Sequence, residues 1–139
     1  MRWSGFIIIQ AIVVMSIMIG GELMSFMNAP SFIFVFGCAH AAMWMAHGKD
    51  SVAILGGGFM DTRSQEGILM AQTARRSYVI AGWLGVFIGA IQMAHALDDM
   101  ANFGPAFGVL MLCPLYGHLM DLSVWMPLER AFTLKAQEG

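Results

Sequence analysis

Long apolar stretches separated by short polar ones dominate the pattern along the chain. Four of them approach the roughly 20 residues that a helix needs to cross about 30 Å of hydrocarbon: Trp3–Gly21, Pro30–Ala46, Ser77–Ala96 and Phe103–Pro127. The first three contain no Lys, Arg, Asp or Glu, and the fourth contains Asp121 alone. The expected fold is therefore all-α, a single four-span membrane domain over residues 1–139.

The basic residues orient these spans. Arg2 precedes the first; Lys49, Arg63, Arg75 and Arg76 lie between the second and third; Arg130 and Lys135 follow the fourth. No basic residue falls in the other two connections, Glu22–Ala29 and Leu97–Asn102. The positive-inside rule then puts both termini and the middle connection in the cytoplasm and makes the other two outer hairpins. An odd number of spans would leave basic residues on both sides. The first stretch is read as a span, not a cleaved signal peptide, because no small-x-small site follows it cleanly.

The connection Gly48–Arg76 is too short for a core of its own. Gly56, Gly57 and Gly58 interrupt it, and it restarts at Asp61 and Thr62, where Thr62 with Gln65 reads as a capping box. Ile68, Leu69 and Met70 carry the pattern on to Arg75 and Arg76, so a short helix is expected to feed the third span, its arginines anchored at the inner interface.

Composition narrows the class further. The chain is 58% hydrophobic and only 12% charged, about half the charged share of a soluble domain, and its mean hydropathy is +0.70. Net charge is −2, no basic run occurs, and Cys38 and Cys113 are the two cysteines, which argues against disorder, nucleic-acid binding and a disulfide scaffold. Both cysteines read as small membrane-buried residues, and the 14 methionines, scattered over every span, as adaptable packing.

Because lipid offers helices no hydrophobic drive to associate, small residues mark where they meet. Ala81, Gly85 and Gly89 repeat at four-residue spacing on the third span, and Gly104 and Gly108 do so on the fourth. These two spans are expected to form the tightly packed inner pair, within one chain or between copies.

Ionisable groups at membrane depth are functional candidates. His40 lies about 10 Å and His118 about 13 Å from the inner ends of their spans, and Asp121 shares a helix face with His118. This His and Asp suit a proton relay or a held counter-charge; alternatively Asp121 reaches the inner headgroups or pairs with Arg130. Histidines at matched depth on two helices also suit a b-type haem, which makes an electron-transfer subunit a further possibility. His95 with Asp98 and Asp99 reads as a solvated outer cap, as does Glu22, since no fourth metal ligand is at hand. No other cofactor is implied. No Ser, His and acid arrangement occurs at accessible depth, and the glycine triplet lacks the Lys and Ser/Thr of a phosphate loop, so no enzymatic activity is expected.

The fourth span, from Phe103, Gly104, Pro105, Ala106, Phe107, Gly108 and Val109 through Leu115, Tyr116 and Gly117 to Met126 and Pro127, resembles the last membrane helix of the MotA/TolQ/ExbB family. The third, Leu84 to Met93 followed by Leu97, Asp98 and Asp99, resembles the preceding helix of the flagellar-stator branch, and Gly20, Gly21, Phe26 to Ser31 and Val35 to Gly37 resemble its opening hairpin. Four spans with both termini inside favour the MotA type. The resemblance implies a pentameric ring in a bacterial inner membrane around a smaller single-span partner of the MotB/ExbD kind, whose helix carries an essential aspartate. Protons would pass between that helix and the third and fourth spans, which makes Val86, Cys113, Pro114, Tyr116, His118 and Asp121 the expected ion-path residues.

Two departures qualify the expectation. Val86, Cys113 and Pro114 stand where the family typically has threonine hydroxyls, and neither valine nor the proline nitrogen can offer a hydrogen-bond donor in their place; the usual proline before the third span falls on Val79. The long charged cytoplasmic insertion that pushes a flagellar rotor is also missing. The sequence therefore supports a compact ion-driven ring subunit, with a non-conducting scaffold of the same fold as its alternative.

Overall fold

The computed structural model describes residues 2–21, 23–51 and 65–138. Glu22, the glycine triplet, Arg63 and the Thr62 half of the capping box lie outside the described residues. All regular structure among those described is helical. Helix α1 spans Arg2–Gly20, a 3-10 turn covers Leu23–Phe26, α2 spans Ala29–His47, α3 Gln65–His95 and α4 Met100–Met120. A π-turn at Asp121–Trp125 then leads without a break into α5, Met126–Glu138.

Three helices, beginning at Ala29, Gln65 and Met100, are long and apolar enough to cross a bilayer, and Ile7–Gly20 of α1 adds a shorter apolar stretch. The chain is a multi-pass membrane protein. At 31 residues, α3 is about 46 Å long and exceeds the hydrocarbon by about ten residues. That excess is roughly the length of Gln65–Arg76, so the helix entering the third apolar stretch and that stretch are one element.

Local chemistry sets the ends. Asn28 caps α2, its side chain accepting from Ser31 N–H at 3.0 Å, and Pro30 occupies the first turn, where no amide is needed. Gly48 ends α2 at a φ of 58°, with its N–H on Trp44 O at 2.8 Å. Asp99 caps α4 by accepting from Ala101 N–H at 3.0 Å. Pro127 lacks the amide that would bond Ser123 O and its ring crowds that carbonyl; the helix widens over the same residues, where Met126 N–H bonds back to Asp121 O.

The core lies where α2, α3 and α4 meet. Val35, Ala39 and Met43 of α2 pack with Met70, Ala71, Ala74, Tyr78 and Ala81 of α3 and Cys113 of α4, and Trp125 and Phe132 extend this core past the π-turn. The α2 and α3 helices run antiparallel, with His40 beside Tyr78 and His47 beside Thr73. In contrast, α1 has no buried side chain among its described residues and leaves Ile12, Met15, Met18 and Ile19 exposed. The turn between α1 and α2 sits lower than the α3–α4 turn, because the Asn28 side chain meets Gly108, about 12 Å along α4 from its start.

Candidate functional site

The α3–α4 pair is built on missing side chains. A Cβ on Gly117 would lie 2.5 Å from Tyr78 O, one on Gly89 2.5 Å from Leu110 N, and one on Gly82 3.0 Å from Pro114 Cα. Backbone meets backbone at all three, the approach on which dispersion contacts in lipid depend. At Gly85 the vacant Cβ position is filled by the Cys113 side chain, which is fully buried. Ala81 is buried in the same seam region.

Of the small residues marked by the four-residue spacing, Ala81, Gly85 and Gly89 are thus buried within the chain. Gly104 has nothing within 4 Å of its Cβ position, and Gly108 meets only Asn28 Nδ2 at 3.4 Å. Gly82 and Gly117 belong to the contact but were not part of that spacing. Gly82 has a signal in the sequence, because Gly82, Gly85 and Gly89 follow the i, i+3, i+7 rhythm of one helix face, whereas no glycine stands at such a spacing from Gly117.

The expected ion-path residues separate into several environments. Cys113 lies within the seam, and Val86 and Pro114 are half-buried beside it. Tyr116 holds the α1–α2 turn: its hydroxyl donates to Phe26 O and accepts from Asn28 N–H at 3.0 Å. His118 is exposed, with Nδ1 on Pro114 O at 2.8 Å and its ring edge-on to Trp83. His40 instead bonds Phe36 O through Nδ1 at 2.8 Å and lies against Tyr78, so the two histidines have different neighbours. No group of three or more His, Cys, Asp or Glu with metal-binding proximity occurs among the described residues.

Asp121 does not pair with Arg130. Its partner is Arg75, whose Nε lies 2.5 Å from Asp121 Oδ1, with Nη2 3.4 Å from Oδ2. The same guanidinium donates through Nη1 to Glu129 Oε2 at 2.8 Å, and Gln72 Nε2 donates to Glu129 Oε1 at 3.0 Å. Side-chain exposures of 31% for Arg75, 17% for Asp121 and 19% for Glu129 put this cluster between a solvated pair and a buried one. Glu129 lies past the end of the apolar stretch, and Arg75 holds its carboxyl below the usual carboxylate range.

The π-turn makes the double contact possible. On a regular α-helix, residues as far apart as Asp121 and Glu129 would point about 80° apart. A wide turn takes up about one extra residue, so this separation closes nearly two full turns and aims both carboxylates at Arg75.

No protein-family model matches the chain. Over 57 residues, 41% of the chain, it is 30% identical to chemotaxis protein PomA of Vibrio alginolyticus. The chain spans 22% of that protein's length.

Proposed function

We propose that the chain is a MotA-like ring subunit of an energiser or stator-type complex driven by a proton motive force, several copies surrounding a single-span partner that carries an aspartate. The observation that carries this reading is a partial coincidence of position: the runs of residues that resemble the MotA/TolQ/ExbB family include Gly85, Gly89 and Gly117, three of the residues at which α3 and α4 approach closely. The similarity to PomA supports it. The end bearing Arg75, Arg76, Arg130 and Lys135 is then cytoplasmic in a bacterial inner membrane, and the role is mechanical, without catalysis.

In this reading the partner helix lies against the α3–α4 pair near Val86 and Pro114. Neither side chain replaces the water lost by an ion, so the transferable proton is carried by the partner's carboxylate. Asp121, held by Arg75, is a fixed charge at the inner mouth. Proton flux into liposomes containing the chain and its co-purified partner tests this: flux is expected, it should stop when the partner's aspartate is removed, and Asp121→Asn should retain it.

Cys113 sealed against Gly85 and Asp121 neutralised by Arg75 favour a second reading, a non-conducting scaffold of the same fold. Absence of flux under every condition would select it.

A further inference from the structure

Arg75 is fully committed to Asp121 and Glu129, whereas the neighbouring Arg76 is exposed and has no carboxylate partner among the described residues. Arg76 stands on the lip of a cleft of about 450 Å³ between α3 and the α4–α5 junction, with the three-residue ion cluster in its wall. Val79 and Ile80, about one turn along α3 toward the apolar stretch, line the same cleft, and Ile80 is exposed. A second cleft, of about 590 Å³, shares Arg75 and Glu129 and adds Arg130 and the Thr133 side chain.

The clefts thus present a cationic rim immediately above an apolar wall, at the level where the charged residues give way to the membrane stretch. Across them three guanidiniums face two carboxylates, an excess of one positive charge that matches a single phosphodiester. A soluble anion would use the rim and leave the wall unoccupied; a phospholipid uses both, its phosphate at the rim and an acyl chain along Val79 and Ile80.

We infer that this pair of clefts is a binding site for an anionic glycerophospholipid, with Arg76 and Arg130 receiving its phosphate. The site goes beyond the proposed ring function and does not depend on it.

Native mass spectrometry of the full-length protein in mild detergent, titrated with phosphatidylglycerol, phosphatidylcholine or glycerol phosphate, tests the inference. Phosphatidylglycerol should be retained in preference to the other two. Arg76→Gln and Arg130→Gln should each weaken retention about fivefold, and Arg76→Lys should recover most of its share. Lys135→Gln, which lines neither cleft, should leave retention unchanged. Equal retention of phosphatidylglycerol by wild type and both glutamine variants would overturn the site. So would an equal loss on Lys135→Gln, which would indicate diffuse surface charge, or equal retention of phosphatidylcholine or glycerol phosphate.

Discussion

Arg75 of α3 holds Asp121 across the helix pair, Nε to Oδ1 at 2.5 Å, at the point where α4 widens into the π-turn. With Glu129 on the same guanidinium, one side chain fastens α3, the end of α4 and α5 together. A residue that is an interface anchor in sequence is therefore the crossing point of three helical segments.

Replacing Arg75 by Gln leaves two partly shielded carboxylates facing each other without their counter-charge. The expected cost is roughly 1–3 kcal/mol, between exposed and buried pairs. Thermal unfolding in detergent measures it. In a double-mutant cycle with Asp121→Asn, the second substitution should cost much less once Arg75 is gone, and additive losses would mean that the pair does not interact.

Gly117→Ala inserts a methyl group 2.5 Å from Tyr78 O, where only backbone can yield. The helices must part, at a cost of roughly 1–3 kcal/mol or more. Gly104→Ala, with open space around it, should leave the unfolding temperature of the single chain unchanged or slightly raised, since alanine favours helix. Comparing the two unfolding curves checks both.

Tyr116→Phe removes the acceptor for the Asn28 amide and the donor to Phe26 O. Hydrogen exchange at Asn28 should accelerate, and stability should fall by roughly 1–2 kcal/mol. Unchanged exchange at that amide would show that the α1–α2 turn is held by other contacts.

Deleting Val124 takes the extra residue out of the wide turn and leaves Asp121 and Glu129 about seven residues apart on a regular helix, about 20° short of two full turns. Glu129 should therefore stay on Arg75. Glu129→Gln should destabilise the deletion variant about as much as the native sequence, as compared by unfolding of the four proteins, and loss of its effect in the deletion background would show that the wide turn does more than absorb one residue.

The apolar stretches reveal the positions of α1 to α4, because about 20 uncharged residues have few alternatives to a membrane helix. The small residues Gly85 and Gly89 likewise identify one side of the α3–α4 seam. The partner of Asp121 was not legible. Arg130 is nearer in sequence, but the choice of Arg75 depends on the register of α3 against α4, and the second contact to Glu129 depends on a π-turn that departs from the 3.6-residue rhythm used to read a helix. The location of Tyr116 was hidden for a similar reason: its hydroxyl is taken up by the α1–α2 turn, whose position along α4 is set by packing. The sequence stretch that fades after Pro127 also conceals α5, because a widened turn accommodates the proline that would otherwise end the helix.

The ring assignment is tested most directly by mass. Purified in mild detergent with any co-expressed single-span partner, the chain should run as a discrete multiple of its 15.2 kDa mass, with five copies and the partner bound. A monomer, or a complex without a single-span partner, would contradict the proposed role.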